Sequence, residues 1–220
     1  ATQQVSASER VAGEHLRDAE QEAGVGAVAQ AGEQQPEHQR RGRGDLPDGD
    51  DAERRNAVKL LLFLDVGGSM DPHIKLCEEL FSAATSEFKN LEFFYFHNCL
   101  YEGVWKDNRR RFSERTPTWD VLHKFPHDYK AVFVGDAAMS PYEISHPGGS
   151  VEHFNEEAGT VWMHRVTTTY PAAVWLNPTP EQHWGYSQST KLIKELMNDR
   201  MYPLTLAGLD DAMRTLTRKS

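Results

Sequence analysis

Apolar residues are distributed unevenly along this chain. Residues 1 to 55 contain no Phe, Trp, Tyr, Ile, Met or Cys and are crowded with Gln, Glu, Asp, Arg, Gly and Ala. Such a segment gains too little from apolar burial to offset the entropy of ordering its backbone, and its composition predicts a disordered tail. Arg40, Arg41 and Arg43 followed by Asp45, Asp48, Asp50 and Asp51 read as a solvated basic block against an acidic one. At Asn56 the character changes. Val58 to Asp65 is a near-continuous apolar run of strand length, as expected of a strand covered on both faces of a parallel sheet.

Gly67 and Gly68 then permit a tight turn, Asp71 is placed to cap a helix, and Pro72 suits its first position. Ile74, Cys77, Leu80, Phe81, Ala84 and Phe88 recur at helical spacing on one face. Further strands are expected at Leu91–His97, Cys99–Trp105, Lys130–Asp136, Ala172–Asn177 and Met201–Leu204. Helices are expected at Thr118–Phe125, within Glu156–Tyr170, after Ser189 around Leu192, Ile193, Leu196 and Met197, and around Leu206, Leu209, Met213 and Leu216. Strands alternating with helices at these lengths predict an α/β domain over residues 56–220, with a mainly parallel central sheet and helices on both faces.

Composition narrows the function classes. A chain of 220 residues with 39% apolar and 10% aromatic residues has material for one sizeable core. The net charge of −9 disfavours non-specific nucleic-acid binding, which relies on neutralising phosphates. Cys77 and Cys99 are the only cysteines, too few for a disulfide framework and without zinc-site spacing. No apolar stretch approaches the length of about 18 residues expected of a membrane span, and the N-terminus lacks the apolar core of a signal peptide. The expected location is cytoplasmic.

In open α/β sheets the functional crevice lies beyond the carboxyl ends of the strands, and two expected strands end in or near an acid, Asp65 and Asp136. The loop Asp65-Val66-Gly67-Gly68-Ser69-Met70 sets a carboxylate and a hydroxyl four residues apart on one tight turn. Thr116-Pro117-Thr118 brings hydroxyls to a helix start, and Val134-Gly135-Asp136 supplies a second carboxylate. Such oxygens, with room for water, suit a hard cation such as Mg²⁺, with Mn²⁺ or Ca²⁺ as substitutes. The remaining candidates read as structural. His123 and His127 are four apart, but Pro126 disturbs the helix that metal pairing would need. His97, His146, His153 and His164 lack zinc-type spacing, and Arg109–Arg111 reads as a solvated loop. The polar loop from Met139 to Glu157 follows Asp136 and borders the same crevice, a common position for recognition. Trp119, beside Thr118, is placed to help shape the site.

Asp65, Ser69, Thr118 and Asp136 resemble, in order and context, the metal-ion-dependent adhesion site of von Willebrand factor type A domains. That signature is Asp-x-Ser-x-Ser after the first strand, a Thr in a second loop and an Asp after a later strand. Gly67 stands where its first Ser is expected, leaving one hydroxyl to be replaced, for instance by water. From Glu53 onward the segments LLFLDVGGSMDPH, FFYFHN, WKDNRRR, TPTWDV, FVGDAAMSPYEI, HPGGSVEHFNEE and MYPLTL are similar to the CoxE-like bacterial subgroup, in which Gly at this site is usual. The resemblance implies a Rossmann-like von Willebrand factor A fold without catalytic activity. It also implies work beside a MoxR-type AAA ATPase in assembly or activation of a target protein, whose carboxylate completes the metal's coordination. The resemblance stops before Glu53, and the abrupt change there predicts that residues 1–52 arise from out-of-frame translation or a misplaced start.

Two other functions are open to these residues. A metal-independent scaffold would use the same surface without a cation. A Mg²⁺-dependent phosphatase or phosphotransferase would use Asp65 as nucleophile. Against the latter, Gly67 occupies the position where a haloacid-dehalogenase-like site requires a second Asp, and no Gly-Lys-Ser/Thr ending marks a phosphate-binding loop.

Overall fold

Seven strands assemble in the order β4-β3-β2-β1-β5-β6-β7 in the computed structural model, which describes residues 58–109 and 114–218. The segment expected to be a tail, residues 1–55, and Arg110 and Arg111 of the arginine run lie outside the described residues. β1 (Lys59–Asp65) is central, pairing in parallel with β2 (Asn90–Phe96) on one side and β5 (Lys130–Val134) on the other. β6 (Ala173–Asn177) and β7 (Met201–Pro203) continue the parallel arrangement. β3 (Gly103–Trp105) and β4 (Arg115–Pro117) close the other edge antiparallel.

The continuous apolar runs of the inner strands follow from burial on both faces. Leu61, Phe63, Phe94, Phe96, Phe133 and Trp175 point into one core. There they meet α2 (Thr118–Lys124), α4 (Gly159–Thr169) and α5 (Gln188–Leu196) through Val121, Trp162, Val166 and Ile193. The alternate residues Leu60, Leu62, Leu64, Val132, Val134 and Leu176 point into the other core. It is closed by α1 (Ile74–Glu87) through Cys77, Leu80 and Phe81 and by α6 (Leu206–Thr217) through Leu209, Ala212 and Leu216. The period-2 alternation of strand side chains therefore feeds two helix layers.

An aromatic ladder runs across four strands of the first core. Phe63 stacks on Phe94 (centroids 5.8 Å apart) and on Phe133 (4.9 Å), and Phe133 stacks on Trp175 (5.5 Å). These contacts coincide with the backbone register, in which Phe63 is paired with both Phe94 and Phe133, and Phe133 with Trp175.

Several local expectations are revised. Asp71 and Pro72 lie inside a 3₁₀ helix, Gly68–His73, and α1 begins only at Ile74 behind His73, so Asp71 does not cap it. The strand expected from Cys99 shrinks to Gly103–Trp105, because Asn98 turns through the left-handed region (φ 56°) and His97 bridges Cys99 across that turn. Arg115–Pro117, for which no strand is expected, forms β4 because it returns alongside β3 and satisfies that strand's open edge. The Met139–Glu157 loop contains a short helix, α3 (Pro141–Ser145), started by a capping box between Ser140 and Glu143. α5 begins before Ser189, capped by Ser187, and a 3₁₀ helix at Glu181–Tyr186 precedes it. Among the described residues no helix is long and apolar enough to cross a membrane.

Phe133 is fully buried at the centre of the ladder. Phe133→Ala is expected to cost about 3–5 kcal/mol in chemical denaturation of the full chain, the range for truncating a buried aromatic. Burial also pushes the Cys77 thiol from 9.0 up to about 11, and it raises Cys99 as well. Both thiols should therefore resist iodoacetamide at pH 8 in the native protein and react on unfolding, read by mass spectrometry. Because the unfolded chain releases these protons first, native stability should fall as pH rises from 9 towards 11.

Candidate metal centre

The chain leaves β1 towards β2 on one side, whereas β5 leads away to β6 on the other, so the gap between the carboxyl ends of β1 and β5 is a topological switch point. In open α/β sheets loops diverge at such a point, and ligands usually bind there. Asp65 is the last residue of β1, and Asp136 lies two residues beyond the end of β5. Both are 5% exposed.

The Asp65 carboxylate is oriented by backbone. Its Oδ1 accepts hydrogen bonds from Gly67 N–H and Asn98 N–H, each 2.8 Å. Its Oδ2 faces the neighbouring strand end: a Cβ added to Gly135 would stand 3.2 Å from it and 2.9 Å from the Asp65 Cβ. Glycine at 135 thus lets the two acid-bearing strand ends approach. Asp136 is anchored through its own backbone, its N–H donating to Met70 Sδ (3.2 Å) and its carbonyl accepting from Asn177 Nδ2 (3.0 Å). Asp136 Oδ1 accepts from Ala138 N–H at 2.9 Å, across Ala137 at φ 54°. Trp175, at the end of the aromatic ladder, donates Nε1–H to the Gly135 carbonyl (2.7 Å) and ties this loop to the core.

The other sequence candidates are placed differently. Thr118 is fully buried at the start of α2, with its N–H on the Glu102 carbonyl (2.9 Å) and its hydroxyl donating to the Tyr101 carbonyl (2.5 Å). Its proton is committed to the protein, and its oxygen lone pairs are what it can offer a cation. Ser69 and Gly68 are exposed in the 3₁₀ helix, whereas Gly67 is buried and its carbonyl accepts from Met70 N–H. The structure thus sets Gly67 and Gly135 directly against Asp65, with Asp136 next in the chain to Gly135, and brings Thr118 to the β2–β3 connection through Tyr101. Ser69 stays at the solvent side of the turn.

Two residues outside the sequence reading organise this region. Asn98 reaches Asp65 with its N–H, and its Nδ2 donates to Glu143 Oε2 (3.0 Å). Glu143 is buried, its Oε1 accepts Ser140 N–H (3.1 Å), and its carbonyl accepts the Tyr101 hydroxyl (2.8 Å). The Ser-x-x-Glu spacing at Ser140–Glu143 is a helix-start pattern that went unread in the sequence, and nothing local signals that Glu143 reaches back to Asn98. The loop after α3 is tied to the same connection by His153 against Glu102 (2.9 Å) and His97 against Glu152 (3.4 Å). Tyr142 of α3 and Val151 and Phe154 of this loop are exposed.

Trp119 lies next to Thr118 but is 44% exposed, stacked on His123 and packed edge-on against Trp162. Arg165 covers both indoles and bonds Glu157. His123 is thus engaged in a surface aromatic cluster.

Among the described residues no three His, Cys, Asp or Glu side chains converge as a metal-binding group. Any cation at the switch point would depend on hydroxyl, amide or water oxygens besides the two carboxylates. That donor set fits a hard cation that retains part of its hydration, as Mg²⁺ does. Comparison with protein-family models, curated proteins and solved structures gives no match for this chain.

Thr118→Val keeps the shape of the side chain and removes its hydroxyl bond to the buried Tyr101 carbonyl. Urea denaturation should register a loss of about 1–3 kcal/mol, the cost of leaving a buried acceptor unsatisfied.

Proposed function

We propose that this domain is a cation-dependent protein-binding module of the von Willebrand factor A type, without catalytic activity of its own. The observation that carries this reading is the pair of buried carboxylates, Asp65 and Asp136, at the β1/β5 switch point of a parallel sheet. In the proposed site these two acids hold Mg²⁺, or Mn²⁺ or Ca²⁺, and Ser69 and Thr118 add hydroxyl oxygens directly or through water. The cation, when bound, provides a Lewis-acidic position for an incoming carboxylate. The chain's own residues do the rest. Gly67 and Asn98 N–H groups hold Asp65 in one orientation, and the buried surroundings strengthen its attraction for a cation. The Met139–Glu157 loop, with exposed Tyr142, Val151 and Phe154, would select the partner.

The resemblance of Asp65, Ser69, Thr118 and Asp136 to the adhesion-site pattern, and of residues from Glu53 onward to the CoxE-like subgroup, supports two proposed partners. One is a MoxR-type AAA ATPase; the other is a target protein that presents a Glu or Asp. A metal-independent scaffold is the second reading. It is favoured by the internal engagement of Asp65 Oδ1 and of the Thr118 hydroxyl, which hold the loops together through protein groups.

Isothermal titration of Mg²⁺ and Mn²⁺ into the full chain separates the two. Saturable binding that disappears in Asp65→Ala and in Asp136→Ala, with far-UV circular dichroism unchanged, is the expected result. A MoxR-type ATPase should then be retained by the immobilised chain in Mg²⁺ and released by EDTA. Retention indifferent to EDTA, with no heat of cation binding, would establish the scaffold instead.

A further inference from the structure

The position that lacks a hydroxyl in the β1 turn is filled from another part of the chain. A Cβ added to Gly67 would overlap the Asn98 side-chain oxygen, Oδ1, and would lie 3.3 Å from Asp65 Oδ1. The space into which a side chain at 67 would grow is therefore occupied by a neutral carbonyl-type oxygen that arrives from the β2–β3 connection. We infer that Asn98 Oδ1 is the missing oxygen donor of the cation site, and that glycine at 67 is the room this donor requires. This inference rests on the cation-site reading of Asp65 and Asp136 and adds a ligand to it.

Three independent restraints aim Asn98 at this point. Its backbone N–H is bonded to Asp65 Oδ1, which fixes the Cα beside the carboxylate. The backbone is in the left-handed region at φ 56°, a conformation that Asn tolerates better than most residues, and it swings the side chain out of the β2 direction. Finally, the amide has only one sensible orientation. Nδ2–H must face the Glu143 carboxylate, because the flipped amide would set two acceptors against each other, and Oδ1 is thereby turned towards Gly67. Glu143 is itself locked by Ser140 N–H in the capping box, so α3 acts as the rigid support of the amide.

An amide oxygen is a suitable substitute for a serine hydroxyl in such a set. It is a hard, neutral donor of the type that commonly completes Ca²⁺ and Mg²⁺ coordination beside carboxylates. Being neutral, it adds no negative charge to that of the two acids, so it does not further offset the attraction of a bound cation for a partner's carboxylate. Glu143 takes the role of an outer positioning residue: it touches Asn98 and orients the donor.

The test is titration of Mn²⁺ into the full-length protein and four variants. Asn98→Gly removes the donor without straining the left-handed backbone, and it should weaken Mn²⁺ binding roughly 10- to 100-fold, as losing a metal-site group commonly does. Gly67→Ser alone should also weaken binding, because the new side chain collides with Asn98 Oδ1. Combining Gly67→Ser with Asn98→Gly should recover most of the affinity, since the hydroxyl then occupies the vacated space. Asp65→Ala is the reference for loss of the whole site. If Asn98→Gly binds Mn²⁺ as tightly as the unmodified protein while Asp65→Ala does not bind, the Asn98 assignment is overturned and the cation site survives. If the unmodified protein shows no saturable binding, both fall together. A measurement on the unmodified chain guards against misfolded variants: substoichiometric Mn²⁺ should broaden the Asn98 side-chain NH₂ signals in ¹⁵N-resolved NMR spectra. Unbroadened signals beside a saturated site would sink the assignment.

Discussion

The stacked row Phe94–Phe63–Phe133–Trp175 holds four parallel strands in one register, and the position of everything at the sheet's carboxyl edge follows from it. Side chains alternate between the two cores along each strand, so a one-residue slip of β5 against β1 would exchange the faces of Ala131, Phe133 and their neighbours with Val132 and Val134. Such a slip would expose the ladder to the wrong helix layer. Two residues beyond Phe63 the same register delivers Asp65, and beyond Phe133 it delivers Gly135 and Asp136. Trp175 takes part in both: its ring ends the ladder and its N–H secures the Gly135 carbonyl. Hydrophobic packing deep in the sheet is thus converted into the placement of two carboxylates.

Above that foundation the site is organised by backbone donors. Asp65 is held by two N–H groups that come from different segments, the β1 turn and the β2–β3 connection. Its carboxylate therefore couples the two segments, and Glu143 adds α3 to the same network through Asn98 and Tyr101. The loops at the sheet's carboxyl edge form one linked polar assembly on an apolar base.

The parallel sheet and the helix layers were legible because burial on both faces writes itself as continuous apolar runs such as Leu60–Leu64, and helix faces as spacings such as Leu209, Met213 and Leu216. The two acids were legible for a related reason, since each follows such a run. What escaped were features decided by pairing between distant segments. Arg115–Pro117 carries no strand pattern and becomes one only because β3 offers an open edge. Asn98 and Glu143 lie 45 positions apart, and only the fold reveals that they meet. Asp71 and Pro72 satisfy the rules for a helix start, but the first turn tightens into a 3₁₀ form before α1 begins. The absence of a hydroxyl at Gly67 reads in one dimension as a gap, whereas in three dimensions that space is filled.

The two edges of the sheet share a design. β4 and β7 are each three residues long, and each ends in proline, Pro117 and Pro203. A proline has no N–H to donate to an added strand, and three residues give an incoming chain little to template on. An apolar, mostly parallel sheet is a natural seed for open-ended polymerisation. Blunt margins of this kind disfavour the addition of further strands, so the polar loops at one end of the sheet are presented on a scaffold whose sides offer an incoming chain little to pair with.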